Sequence, residues 1–204
     1  MTLADRSAID LCPALRPASR PALPWPYAAV LTVEVCVLAS LAASSLGRPP
    51  MSHLAGWLGV GSMLTALPYS LRRRVRALGR WGALPGWLDF HVFAGLQGYL
   101  LVAYHSAGAP LSTSLAAMSF LVVTLIVVSG LAGRYGVPRL AVAREQHAQA
   151  SAATPQDERL ARRLGHLEVA ERWLSRWGLL HRPASLLLLA LTTLHVLAHY
   201  AYAA

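Results

Sequence analysis

An apolar run from Trp87 to Ser106 reads WLDFHVFAGLQGYLLVAYHS and carries one histidine near each end, His91 and His105. About 20 residues are needed to cross the ~30 Å hydrocarbon core of a bilayer, so the run predicts a membrane-spanning helix. The histidines are 14 residues apart, and this spacing is about 40° short of four full helical turns. Both imidazoles should therefore leave one helix face, about 21 Å apart along the axis. Imidazoles inside a membrane helix indicate a functional site.

The composition indicates the same class of protein. Of the 204 residues, 55% are hydrophobic and only 13% are charged, and the mean hydropathy is +0.45. A soluble domain with so little charge would lack a polar surface, whereas a helical bundle can use lipid as its outer solvent. The net charge of +9 comes from arginine alone. These arginines lie between apolar runs, a placement typical of membrane topology rather than of nucleic-acid binding.

Five apolar segments of similar length predict an all-α membrane protein, a five-helix transmembrane bundle. The segments are approximately residues 27–46, 52–71, 87–106, 111–133 and 182–202. Residues 1–26 contain five prolines and no apolar run, so we expect an irregular cytoplasmic tail rather than a signal peptide. Residues 27–204 would then form the transmembrane domain.

The arginines also predict how the segments are oriented. Five arginines lie between the second and third segments, and nine more lie in residues 134–182, whereas residues 47–51 and 107–110 are nearly neutral. Positively charged loops face the cytoplasm. In a bacterial inner membrane, the N-terminus and both basic loops should therefore be cytoplasmic and the C-terminus periplasmic. The third and fifth segments would run parallel.

The long cytoplasmic loop, residues 134–181, has a helix signal of its own. Thr154 and Pro155 resemble a capped helix start that is followed by acidic residues. The leucines and tryptophans beyond them favour one side of a helix. This pattern fits either an amphipathic helix on the cytoplasmic membrane surface or a solvated helix that docks on a partner subunit.

A second histidine pair repeats the spacing of the first. His181 and His195 in the fifth segment are also 14 residues apart, and His199 follows one turn later. On parallel helices, His91 would lie level with His181 near the cytoplasmic boundary. His105 would lie level with His195 near the periplasmic boundary. Two imidazoles that face each other across a flat macrocycle ligate haem b without a covalent attachment motif, so the pattern predicts two bis-histidine haems b.

Two features leave the ligands in the fifth segment open. Pro183 follows His181 by two residues, and if Pro183 begins the helix, His181 lies outside it and the spacing loses its angular meaning. His199 is five full turns from His181 and shares its face more closely than His195 does. His195 matches the level of His105 better, so we predict His195 as the ligand, with His199 as the alternative.

Several alternatives to haem follow from the same residues. Gly95 and Gly98 share the face of His91 and would leave room for a porphyrin edge, but membrane glycines also serve only close helix packing. A lone histidine could be a hydrogen-bonded core residue or part of a proton relay. Zinc or copper is disfavoured because each level offers too few ligands. Cys12 and Cys36 form no haem attachment motif, and no bridge between them is expected.

Other polar residues are weaker candidates. Arg134, at the cytoplasmic end of the fourth segment, could pair with a haem propionate. His53 could hydrogen-bond a propionate or a quinol, or could simply lie at the membrane interface. Glu34 is an intramembrane acid that could transfer protons or hydrogen-bond a neighbouring helix. His147 and His166 belong to the polar loop and should be solvated.

These residues resemble bacterial dihaem membrane b-type cytochromes, which belong with the ferric-reductase-like and cytochrome b561-like bundles. The likeness covers roughly residues 52–202 and implies a helical bundle with two haems b that carries electrons between the membrane faces. The implied ligands are His91, His105, His181 and His195. The residues that carry the likeness are Phe90-His91, Gly95, Tyr104-His105-Ser106, the SGLAGRY stretch at 129–135, His181-Arg182-Pro183 and His195.

The resemblance implies an electron-transfer subunit rather than a complete reductase, because we expect no flavin or nicotinamide domain in this chain. The electron donor or acceptor would be a partner subunit of an oxidoreductase complex, a soluble cytochrome or a quinone. Two alternatives remain. One is a haem-free scaffold or small transporter whose histidines are structural or relay protons. The other is a membrane anchor whose haems are structural and which docks an enzyme subunit.

Overall fold

The structure is a computed structural model that describes residues 22–44, 51–107, 115–153, 165–166, 169–170, 172 and 176–203. The regular elements in these residues are all helical, and no strand occurs among them. The predicted all-α class is therefore confirmed. The predicted helix start at Thr154 and Pro155, and most of the amphipathic helix expected after it, lie outside the described residues.

Seven α-helices occur in the described residues. The polypeptide also forms a 3₁₀ helix at Arg76–Arg80 and a π-helical turn at Ala132–Gly136. In chain order the α-helices are α1 (Trp25–Ala43), α2 (Ser52–Thr65), α3 (Leu67–Arg74), α4 (Leu84–Ser106), α5 (Leu115–Leu131), α6 (Val137–Ala153) and α7 (Trp177–Ala203).

Among the described residues, three helical stretches are long enough and apolar enough to cross a membrane. They are Trp25–Ala43, Leu115–Gln146 and Leu179–Ala201. Their large apolar side chains face outward, with Val33 62% exposed, Leu121 59% and Leu186 70%. Outward apolar faces of this extent suit lipid better than water. The three helices are therefore compatible with a membrane protein.

The second predicted segment, residues 52–71, forms two helices rather than one. Helix α2 ends at Thr65 and α3 begins at Leu67, with Ala66 between them. The cause is Pro68, which has no amide hydrogen for the carbonyl of Leu64 and whose ring clashes with the preceding turn. The break lies beside His91, as the site geometry below shows.

The fourth predicted segment, residues 111–133, extends further than expected. Helix α5 passes through the π-helical turn into α6 and so continues to Ala153. The apolar pattern stops near Gly133, but the alanine, arginine, glutamate and glutamine residues beyond it favour helix. The hydrophobic pattern therefore predicted the end of the apolar run, and not the end of the helix.

The fifth predicted segment, residues 182–202, begins earlier than expected. Helix α7 starts at Trp177 and contains Pro183 in its interior. His181 therefore lies inside the helix, and the 14-residue spacing to His195 keeps its angular meaning. The doubt that Pro183 raised about His181 is resolved in favour of the helical arrangement.

Helix α4 is at the centre of the bundle and packs against α1, α2, α3 and α5. Its contact with α2 is close because two glycines meet there. A Cβ added at Gly98 would lie 2.8 Å from the carbonyl oxygen of Gly59 and 2.6 Å from Met63 Cγ. The Ser62 hydroxyl also donates to the Ala94 carbonyl, at 2.9 Å. Small residues thus let the two backbones approach closely.

Helix α7 packs along α5, and in the described part of the chain it makes no extended contact with α4. The facing sides of α4 and α7 nevertheless carry the predicted histidine pairs. We call His91 and His181 the lower pair, and His105 and His195 the upper pair. Because each pair joins the start or the end of both helices, α4 and α7 run in the same direction, as predicted.

Candidate functional site

The lower pair begins with His91 on α4, whose ring is held by the break between α2 and α3. Its Nδ1 lies 2.8 Å from the Ala66 carbonyl oxygen. A carbonyl oxygen only accepts hydrogen bonds, so Nδ1 carries the proton and the lone pair of a neutral ring is on Nε2. Tyr69 on α3 lies against the same ring, with centroids 5.1 Å apart.

His181, the second member of the lower pair, is held by α5. Its Nδ1 lies 3.0 Å from the Ser129 hydroxyl oxygen, and that hydroxyl donates its own proton to the Ile126 carbonyl, at 2.8 Å. The Ser129 oxygen therefore accepts from the Nδ1–H of His181, and the lone pair of the ring is again on Nε2. His181 and His91 are close enough to interact electrostatically.

A glycine beside Ser129 provides the space for this imidazole. A Cβ added at Gly130 would lie 3.2 Å from Cε1 of His181, tighter than ordinary van der Waals contact. On α5, Ser129 therefore orients the His181 ring, and Gly130 leaves space for it.

The upper pair repeats this arrangement with α2 as the support. The ring centroids of His105 and His195 are 6.5 Å apart. Nδ1 of His105 lies 2.8 Å from the Ser52 carbonyl oxygen, which again places the lone pair of a neutral ring on Nε2. A Cβ added at Gly56 would lie 3.1 Å from Cγ and Nδ1 of His105.

Two more histidines extend the upper pair into a cluster. His53 lies 5.6 Å from His105, centroid to centroid, and stacks on His199 at 5.3 Å. His195 thus contacts the histidine of α4, whereas His199 contacts His53. This geometry favours His195 over the alternative His199 as the partner of His105. It also places His53 inside the cluster.

A cavity of about 340 Å³ opens at the upper pair. Both members of the pair line it, together with His53 and His199. The remaining wall is mostly apolar and is built by α2, α4, α5 and α7. Its aromatic members are Trp57, Phe120 and Tyr200.

The two glycines predicted to face a cofactor differ in their surroundings. A Cβ added at Gly95 would meet nothing within 4 Å, as expected for a residue that borders open space. Gly98 is instead buried against α2, where the close contacts with Gly59 and Met63 require it. The packing explanation therefore accounts for Gly98, which we drop as a cofactor contact.

Arg134 is buried, and it pairs with a residue that was not predicted. Its guanidinium forms an ion pair with Asp89 of α4, and both side chains are only 4% exposed. Nε of Arg134 is also buried and has no hydrogen-bond partner in the described chain. A cofactor carboxylate, which is the predicted partner of Arg134, would therefore have to hydrogen-bond guanidinium nitrogens that do not contact Asp89.

The remaining candidates are Glu34, the two cysteines and the two loop histidines. Glu34 is on α1, and its buried Oε2 has no hydrogen-bond partner among the residues described. Cys36 is exposed on α1, and Cys12 is outside the described residues. His166 is exposed, as predicted, while the side chain of His147 falls outside the described part.

The arrangement can bind a metal only in a particular way. In the portion of the chain that is described, no three His, Cys, Asp or Glu side chains converge on a common ion. Each pair offers two imidazoles, with the Nε2 lone pairs assigned above for His91, His181 and His105. Such a pair suits haem iron, which needs only two ligands from the protein. The hydrogen-bonded Nδ1 atoms are the usual support of metal-binding histidines.

The sequence analysis did not predict the residues that contact and orient the imidazoles. The Ser52 carbonyl and Gly56 hold His105, and Ser129 and Gly130 hold His181. Serine and glycine in apolar segments are a signal for close approach, but the sequence does not say which histidine approaches them. Asp89 was also available as a signal, because an acid in an apolar run calls for a partner.

Comparisons of this chain with protein-family models, with curated proteins and with solved structures give no match.

Proposed function

We propose that this protein is a membrane cytochrome of the b type that carries electrons between two bis-histidine haems, one at each histidine pair. The lower haem would be held by His91 and His181, and the upper haem by His105 and His195. The observation that carries the proposal is the double pairing of imidazoles across the gap between α4 and α7. Three of these imidazoles have Nδ1 fixed by a hydrogen bond.

The two upper imidazoles lie close enough together to hold one haem iron between them, which supports the proposal. The observed centroid distance between His105 and His195 is 6.5 Å. Both upper imidazoles line the cavity beside them. Gly95 shares the helix face of His91 by its spacing, and an added Cβ there would meet nothing within 4 Å.

The chain's own residues would control orientation and access. Hydrogen bonds from Nδ1 to Ala66, Ser52 and Ser129 orient the imidazole planes, and Nε2 would be the atom that holds the iron. Haem, when bound, supplies reversible one-electron transfer at iron. The mostly apolar wall of the upper cavity would limit the access of water to a bound haem and would so favour its less charged redox state. The buried Nε of Arg134 could donate to an anionic edge at the lower site.

The 14-residue spacing in α4 would place the two sites about 21 Å apart along the helix axis. In the five-span bacterial inner-membrane topology, with the C-terminus periplasmic, this separation takes an electron across most of the hydrocarbon core. The lower site would then exchange electrons with a cytoplasmic partner subunit or a quinone. The upper site would serve a periplasmic redox protein such as a soluble cytochrome. The basic connections between the segments support this orientation.

The decisive experiment is a reduced-minus-oxidised visible spectrum of the purified protein, with pyridine haemochrome quantitation. We expect two haems b per chain. A colourless protein without an α-band would refute the proposal and leave a haem-free scaffold or transporter. One haem per chain would restrict the proposal to one of the two pairs.

Single substitutions then assign the ligands. We expect His91→Ala and His195→Ala each to reduce the haem content from two to one. The matched control is His199→Ala, which should retain both haems because His199 stacks on His53 rather than facing His105. Loss of a haem in His199→Ala but not in His195→Ala would exchange the roles of these two residues.

A further inference from the structure

The Asp89–Arg134 ion pair occupies an unusual place in the bundle. Taken as whole residues, Asp89 is 3% exposed and Arg134 is 8% exposed, so both charges are removed from solvent. A buried ion pair is seldom a net gain in stability, because desolvation offsets the attraction between the charges. Its best-established use is to fix one arrangement of the surrounding elements, since removal of either partner leaves an uncompensated buried charge.

The pair joins the two chain segments that build the lower site. Asp89 precedes His91 by two residues on α4. Arg134 follows Gly130, the glycine that contacts His181, by four residues. Each member of the ion pair is therefore about one helical turn or less from a residue of the lower site, Asp89 from His91 and Arg134 from Gly130.

The direction of the two contacts on α4 matters as well. Residues two positions apart on a helix differ by about 200° in direction, so Asp89 and His91 leave α4 on nearly opposite sides. His91 is held to the α2–α3 break through Ala66, and Asp89 is held to Arg134 beyond α5. The two contacts therefore hold α4 on nearly opposite sides.

The backbone on the other side of the pair is specialised too. Arg134 lies within the π-helical turn Ala132–Gly136. A π-helical turn changes the direction in which the following side chains leave the helix, and such turns are concentrated at functional sites. Here the turn presents Arg134 inward, although the sequence around it approaches the polar end of the segment.

We propose that Asp89 is a positioning residue for the lower haem site. By holding Arg134, it fixes the rotation of α4 against the π-helical turn and directs His91 across the gap towards His181. The inference rests on the proposed function, because it concerns the site of the lower haem. It assigns Asp89 no contact with the cofactor and no proton transfer.

The test uses full-length protein with Asp89→Asn and, as the conservative variant, Asp89→Glu. We expect Asp89→Asn to reduce the haem content from two to one per chain, with the retained haem spectroscopically identical to that of His91→Ala. Asp89→Glu keeps a carboxylate for Arg134 and should retain two haems. Low-spin electron paramagnetic resonance of the oxidised protein reports the imidazole orientation at each site, and the upper signal serves as an internal folding control.

The outcomes separate this inference from the proposed function. Wild-type protein without haem refutes the function, whereas two haems with unchanged resonance signals in Asp89→Asn refute only the positioning role. If Asp89→Asn loses both haems, the charge-exchanged variant Asp89→Arg/Arg134→Asp decides. Recovery of haem by this variant supports the positioning role, and absence of recovery shows a general folding contact and overturns it.

Discussion

At the residue scale, the orientation of the imidazoles depends on the groups that hydrogen-bond their Nδ1 atoms. The Ala66 and Ser52 carbonyls fix the rings of His91 and His105, and the Ser129 hydroxyl fixes that of His181. Each support assigns the Nδ1 proton and so leaves the Nε2 lone pair for the proposed haem iron. The tautomer of each ring is therefore set by backbone and small side chains of α2, of the α2–α3 break and of α5, not by the histidines alone.

The Ser129 hydroxyl gives a first prediction. Ser129→Ala removes the acceptor for Nδ1 of His181, and loss of such a support typically weakens metal binding about 10- to 100-fold. We expect the lower haem to be lost preferentially when the protein is titrated with a competing haem-binding protein. Thr193→Ala is the matched control, because the Thr193 hydroxyl is exposed and bonds only within α7. Equal haem retention in both variants would contradict the prediction.

Gly56 gives a second prediction at this scale. In Gly56→Ala the new methyl group would lie 3.1 Å from the His105 ring, and overpacking of this kind costs about 1–3 kcal/mol. We expect the ring to tilt and the upper haem to be lost or to change its resonance signal. Gly61→Ala is the control on the same helix, since a Cβ there would meet nothing within 4 Å. An unchanged upper signal in Gly56→Ala would show that the ring has room to move.

At the scale of the elements, α2 and α4 pack in close contact, whereas α4 and α7 leave a gap between them. Helices α2 and α4 approach at Gly59 and Gly98, whose contacts leave no room for a Cβ. Helices α4 and α7 bring their histidine pairs together without an extended contact in the described chain. Helix α5 and the π-helical turn after it support both sides of this gap, through Arg134 on the side of α4 and through Gly130 on the side of α7.

The α2–α4 contact gives a third prediction. Gly98→Ala should destabilise the protein by about 1–3 kcal/mol, because its methyl group would lie 2.8 Å from a backbone oxygen that cannot move alone. Gly86→Ala, on the same helix and next to open space, should be neutral or slightly stabilising, since alanine favours helix over glycine by about 1 kcal/mol. Thermal unfolding of both variants in detergent measures the difference. Equal unfolding temperatures would show that α2 and α4 separate easily.

At the scale of the whole molecule, the bundle has little core of its own. The buried apolar residues of the described chain are small or few, and no large side chain among them is fully buried. Many large apolar side chains instead face outward, including Trp57 and Leu197. An exterior of this kind suits lipid or detergent better than water, which is compatible with a membrane protein.

The proposed topology gives a fourth prediction. A reporter that is active only in the periplasm, fused after Ala204, should be active, because five spans starting from a cytoplasmic N-terminus end on the outer side. The same reporter inserted after Arg74 should be inactive, because the basic connection there should be cytoplasmic. Activity after Arg74, or inactivity after Ala204, would exclude the five-span orientation. A reporter that is active only in the cytoplasm should give the opposite pattern at both positions.

By itself, the sequence determined the helical class, the apolar segments and the equal spacing of the two histidine pairs. These features depend on composition and on the 3.6-residue period, which are local properties of the chain. The bounds of α7 and the split of α2 from α3 were less accessible, since a proline can begin, bend or break a helix according to its surroundings.

Only the tertiary structure decided which residues support the imidazoles and where Arg134 points. The partners Asp89 and Arg134 are 45 residues apart, and Ser129 and His181 are 52 apart. Such contacts depend on the rotation and the neighbours of each helix, and no local pattern specifies these. The same reason explains Gly98, which shares a face with Gly95 in the sequence pattern and yet packs against α2. A helix face is a local property, whereas what covers that face is a property of the fold.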